Sequence, residues 1–171
     1  FFEPPIAQQQ KSENTSVVNE ESSYPTIDED SSKKEVSRND VINTTNRIKV
    51  ENQNIKGSIS LKGAIIDDII FKNYKKSLDS PDKVIFLNPK NSANEYFIET
   101  GWALGGAEKV KLPLDNTIWK VKGNRALTPS TPITLEWNNN EGLIFTKKIE
   151  LDDKFLFKIT QSIKNTSNKS F

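Results

Sequence analysis

The chain has 171 residues, 27% of them charged and 34% hydrophobic, with a formal net charge of +1. It contains no Cys, Met or His, which excludes a disulfide framework, thiolate or imidazole metal sites, and nucleophilic catalysis by Cys or by Ser with a His base. No stretch approaches the roughly 20 consecutive apolar residues that cross a bilayer as a helix.

The opening Phe1-Phe2-Glu3-Pro4-Pro5 has no basic region followed by an apolar run, so it does not read as a signal peptide. It reads instead as the point where an aromatic, interfacial segment runs out. Residues 1–45 are rich in Ser, Asn, Glu and Gln, and carry four basic against nine acidic residues, a net of −5. Such a segment buries too little apolar area to offset an ordering entropy of roughly 1–2 kcal/mol per residue. It is expected to be a disordered acidic linker, with an end-to-end distance of about 35–40 Å by random-coil scaling. Residues 46–171 carry the remaining 20 basic and 14 acidic residues, a net of +6.

From Arg47 onward the apolar pattern has period two. Ile55, Ile59 and Leu61 alternate with polar residues up to Gly63, and Ile65, Ile66, Ile69, Ile70 and Phe71 form a denser stretch around Asp67-Asp68. Val84 to Leu87 reads as a short buried strand ended by Asn88-Pro89, and Tyr96, Ile98 and Thr100 alternate up to Gly101-Trp102. Ile133, Leu135 and Trp137 share one strand face, and Asn138 to Gly142 supply a turn. Phe145, Lys147, Ile149 and Leu151 then share one face of the return strand. After Asp152-Asp153-Lys154, the set Phe155, Phe157, Ile159, Gln161 and Ile163 alternates again. Strand side chains point to opposite faces in turn, so each row predicts one buried and one wet face. The predicted fold class is all-β: an antiparallel β-sandwich over 46–171, preceded by the linker.

Few residues invite chemistry. Asp67 and Asp68 are adjacent in a predicted strand, where neighbours face opposite ways and two carboxylates cannot meet one reacting atom. Asp152-Asp153 lies between alternating strands, where Asp suits a turn. Gly101 to Gly106 lacks phosphate-loop spacing and reads as a loop that uses positive φ. Trp137 falls in register with core residues, whereas Trp102 and Trp119 flank loops and stay open to either core packing or an aromatic platform. Basic residues are dispersed rather than gathered with aromatics, so no nucleic-acid partner is expected.

Several runs, taken in order, resemble the periplasmic domain of the YidC-type membrane protein insertases of Gram-negative bacteria, in their α-proteobacterial form. They are Gly57 to Ile69, Val84 to Pro89, Glu95 to Trp102, Trp119 to Val121, Leu127 to Phe145, and Asp152 to Phe155. The resemblance covers residues 47–165. It implies a β-supersandwich, of which this chain would be about the first half, on the periplasmic side of the inner membrane. It also implies a non-catalytic domain without cofactor, in a protein that helps inner-membrane proteins insert and fold, alone or with the Sec translocon. Implied partners are nascent inner-membrane proteins, Sec components reached through the full-length protein, and the adjacent membrane surface. The family's functional groove lies in transmembrane helices, so the resemblance carries no catalytic, cofactor or metal residue onto this chain. A carbohydrate-binding, lectin-type sandwich is the alternative, motivated by the tryptophans.

Overall fold

The computed structural model describes residues 36–106 and 109–170. Most of the expected linker therefore lies outside the described residues. Its last part does not: helix α1 (Arg38–Asn43) sits ahead of the boundary expected at residue 45. The helix is short, so local capping matters. The Ser37 hydroxyl accepts from the Asp40 amide at 3.2 Å and donates to the Asp40 carboxylate at 2.7 Å, satisfying one orphan donor of the first turn.

Strands β1 (Arg47–Glu51), β2 (Ile55–Ser60), β3 (Ile65–Lys75) and β4 (Lys83–Leu87) follow as an antiparallel meander. After a long excursion come β5 (Lys120–Lys122) and β6 (Ala126–Leu127). Strand β6 returns to pair parallel with β1, which gives one sheet in the order β4-β3-β2-β1-β6. Strands β7 (Ile133–Asn138), β8 (Leu143–Leu151) and β9 (Phe157–Asn165) complete the second sheet, β5-β7-β8-β9, which is antiparallel throughout.

One apolar core joins the two sheets. It holds Ile48, Val50, Ile55, Ile59, Ile66 and Ile69 from the first, and Ile133, Leu135, Leu143, Phe145, Ile149 and Leu151 from the second. Each fully buried side chain of this size contributes about 1.5–3 kcal/mol, so the alternating rows read from the sequence are the main source of stability. Asn52 fastens the end of the sandwich. Its amide nitrogen donates to the carbonyls of Asp152 and Lys154 at 2.8 and 2.9 Å, and its oxygen accepts from the amides of Asn54 and Ile55.

The β7–β8 hairpin matches its prediction. The turn places Asn140 at φ 61° and Gly142 at φ 97°, and the Asn139 side-chain oxygen Oδ1 accepts from the backbone amides of Glu141 and Leu143. Three expectations need correction, all at sheet edges. Val84 to Leu87 is not a buried strand, because β4 has a neighbour on one side only; Ile85 and Phe86 are exposed and only Leu87 is buried. Tyr96 and Ile98 do not lie in a strand: they make single bridges to Asn88 and Ile66 and stay exposed. In β9 the row keeps its alternation only at Phe157 and Ile159, while Gln161 and Ile163 are exposed on the outermost strand. Ser92, in the connection after Pro89, is buried with its hydroxyl donating to the Pro89 carbonyl.

Gly57 shows how closely β2 and β3 approach. A Cβ there would stand 1.7 Å from the Asp68 carbonyl oxygen, a backbone atom that cannot swing away. Gly57→Ala is therefore expected to cost about 2–4 kcal/mol, read as a lower urea midpoint with an unchanged denaturant slope.

Candidate functional site

The first polar constellation is built by an irregularity in the sheet. Opposite Ser58 and Ile59 on β2 stand Asp68 and Ile66, so Asp67 is an extra residue in β3. Such a β-bulge bends the strand and re-aims consecutive side chains. Asp67 pairs with Arg47, and Asp68 pairs with Arg38 of α1. Ser58 links the two pairs, accepting from Arg47 Nε at 2.7 Å and donating to Asp68 at 2.6 Å. The expectation that these carboxylates face opposite ways is corrected: the bulge draws both into one buried network. Burial pushes the Asp67 carboxyl upward, while the Arg47 guanidinium pulls it down. Every charge in the network has a partner of opposite sign, and the network holds α1 against the first sheet.

The second constellation lies in the second sheet. Lys147 stands in the inward row of β8 between Phe145 and Ile149 and is 1% exposed. Its ammonium donates to the Thr100 carbonyl and lies 5.8 Å from the ring centre of Trp102 and 5.2 Å from that of Trp119. Burial lowers its pKa from 10.5 to about 8, with Glu99 pulling the other way. Glu99, Thr100, Trp102, Asp115, Trp119 and Lys147 are among the residues that line a cavity of about 330 Å³. Lys90 reaches across its mouth, 3.3 Å from both Glu99 and Asp115.

The aromatic-platform reading fails for Trp119, which is 2% exposed and stacks on Trp102 with ring centres 6.0 Å apart. Trp102 is half-buried, and its ring also meets Phe145 edge-on. Trp137 is half-buried against Phe145, in the register expected of it. Trp119 therefore offers no exposed face to a sugar ring, which weighs against a platform built from both tryptophans.

On its other side Trp102 borders an apolar trough of about 790 Å³, with Leu104, Val110, Leu112, Leu143 and Ile163 in its walls. Gly105 and Gly106 form part of its lip. These glycines and Gly101 do not adopt positive φ, contrary to expectation; the described glycines that do so lie elsewhere, at Gly63, Gly123 and Gly142. Their missing side chains leave the lip open, since a Cβ at any of the three would touch nothing within 4 Å. Asp152 takes its expected turn role, its carboxylate accepting from the amides of Lys154 and Leu156. Among the described residues no group of three or more His, Cys, Asp or Glu gathers in a way that could hold a metal ion. None of the described helices is long and apolar enough to cross a membrane.

Lys147 escaped notice as a site residue although its inward position was legible. The signal was there: a lysine replaces an apolar residue in an otherwise regular inward row, and such a position demands a partner or a cavity.

The architecture defines the class: a two-sheet β-sandwich domain with an apolar trough beside a lysine-floored cavity. Residues 47–171 match the model of the YidC periplasmic domain. Among relatives, the membrane protein insertase YidC of Pelagibacter ubique is 39% identical over 173 residues, covering all of this chain and 31% of that protein. Those of Methylorubrum extorquens and Nitrobacter hamburgensis are 40% and 39% identical, covering 77% and 76% of the chain and 21% and 22% of their own lengths. The chain belongs to the YidC periplasmic domain family, and it spans less than a third of these relatives.

A buried lysine with a lowered pKa has a definite linkage sign. Between about 8 and 10.5 the unfolded chain binds the Lys147 proton and the folded chain does not, so folding gains stability as pH rises through that window. Lys147→Met removes this term. Urea unfolding from pH 7 to 10.5 is expected to show the variant ahead at pH 7 and its lead over the parent shrinking as pH rises.

Proposed function

We propose that this chain is the periplasmic part of a membrane protein insertase and works there without catalysis, as a spacer and docking domain. What carries the reading is the match to the YidC periplasmic domain over residues 47–171, the whole of the sandwich strands. In this reading the acidic segment of residues 1–45 is a tether whose last residues are gathered onto the sandwich by the Arg38–Asp68 pair. The tether, about 35–40 Å in end-to-end distance if flexible, gives the domain room to move above the inner membrane.

The clients are inner-membrane proteins during insertion and folding, met by the full-length protein alone or beside the Sec translocon. The apolar trough beside Trp102 is a surface suited to an exposed apolar segment, since apolar area removed from water drives such contacts at about 25 cal/mol per Å². The paired charges of the Asp67–Asp68 network support a structural rather than a catalytic role. A free general acid or base would need reach to a reacting atom, and these carboxylates are committed to Arg47, Arg38 and Ser58.

Topology tests the reading on the full-length protein. This region has no native Cys, so a single Cys on an otherwise Cys-free parent reports its side of the membrane. Ser77, exposed in the β3–β4 connection, is the position of choice, whereas Ser92 is buried. Ser77→Cys is expected to react with a membrane-impermeant thiol reagent in intact spheroplasts. Reaction only after lysis places the domain in the cytoplasm and removes the proposal.

A further inference from the structure

The fold treats its buried cations unequally. Arg47 and Arg38 each hold a carboxylate, Asp67 and Asp68 respectively. Lys147 is at least as deeply buried, and among the described residues no carboxylate forms a salt bridge with it. An ammonium has three N–H donors, and the Thr100 carbonyl takes one. The faces of Trp102 and Trp119 offset part of the charge. Trp119 also lines the cavity, and its indole N–H is buried beneath that surface without a hydrogen-bond partner. Glu99 acts on this ammonium through space rather than in a salt bridge, so the floor holds a buried cation with no hydrogen-bonded counter-ion, which favours an incoming anion.

The mouth sets the limit on that anion. Glu99 and Asp115 share Lys90 there, which leaves the mouth with a net charge of −1 above a floor of +1. A ligand carrying two negative charges would bring one of them against the Glu99–Asp115 pair. A cavity of about 330 Å³ accommodates a short organic acid.

We propose that the cavity above Lys147 is a binding site for a small monocarboxylate. The carboxylate accepts from the Lys147 ammonium, and the uncharged remainder rests against Trp102, Pro113 and Leu114. The lowered lysine pKa fits this arrangement, since a bound carboxylate would hold the ammonium in its charged form. The site is independent of the insertase reading.

The test is a titration of the purified full chain with propionate, its neutral isostere propionamide, and the dicarboxylate succinate, followed by tryptophan fluorescence and by calorimetry. The expected result is saturable binding of propionate at millimolar concentration, with propionamide and succinate at least tenfold weaker. Lys147→Met is expected to lose propionate binding at least tenfold while keeping the circular dichroism of the parent, and Lys147→Arg to retain part of it. Propionamide binding as well as propionate, succinate binding better, or no saturation by propionate would each overturn the proposal, as would undiminished binding in Lys147→Met. If the Met variant does not fold, the propionate–propionamide comparison on the parent decides alone.

Discussion

The structure depends on burying one face of each sheet against the other, and the row along β8 is where that constraint is tightest. Leu143, Phe145, Lys147, Ile149 and Leu151 all point inward, each no more than 4% exposed. Strand β8 pairs with β9 from Leu143 to Leu151 and with β7 from Ile144 to Ile149, so its register is fixed on both edges. A slip by one residue would turn every member of the row to solvent. Four of the five are apolar and supply the expected hydrophobic stabilisation. The fifth is a lysine, and the neighbourhood is arranged around it: the 99–102 segment is drawn in by the Thr100 carbonyl, and two indole rings close over the charge. The same contacts fix Trp102, which separates the lysine cavity from the apolar trough.

The first sheet solves a different problem. Its strand β3 is buried on both faces at Ile65 to Ile69, so polar residues there need internal partners. The bulge at Asp67 places both carboxylates where Arg47, Arg38 and Ser58 reach them. Removing one partner of such a pair leaves an uncompensated charge, which is why breaking a buried ion pair is costly while its net worth is small. Its value here is specificity: it gives α1 a single docking position and fixes where the preceding chain leaves the sandwich.

Legibility in the sequence followed strand length and position in the sheet. The β7–β8 hairpin was readable because alternation persists across Ile133 to Leu151, around a turn whose Asn and Gly residues tolerate positive φ. Val84 to Leu87 and Tyr96 to Ile98 carry equally apolar residues, but they lie at the edge, where periodicity predicts a face without telling whether anything covers it. The Asp67–Asp68 network was hidden for another reason. A bulge changes the pairing count by one residue, and nothing in the local pattern announces which residue is extra. Trp119 was ambiguous because a residue flanking a loop can be fully buried by side chains distant in sequence, here Trp102 and Lys147. The family was legible through ordered motifs even where individual side-chain roles were not.

Family membership and fold agree on a two-sheet β-sandwich domain. That account requires the described residues to form one cooperative sandwich with the core shared by both sheets. Native-state amide hydrogen exchange tests this most directly. The account predicts that β2 and β8 open with the same free energy, equal to that of global unfolding, while the edge strands β4 and β9 exchange earlier. Protection of β7 to β9 with rapid exchange throughout β1 to β3, or the reverse, would mean that the two sheets do not share a core and would contradict it.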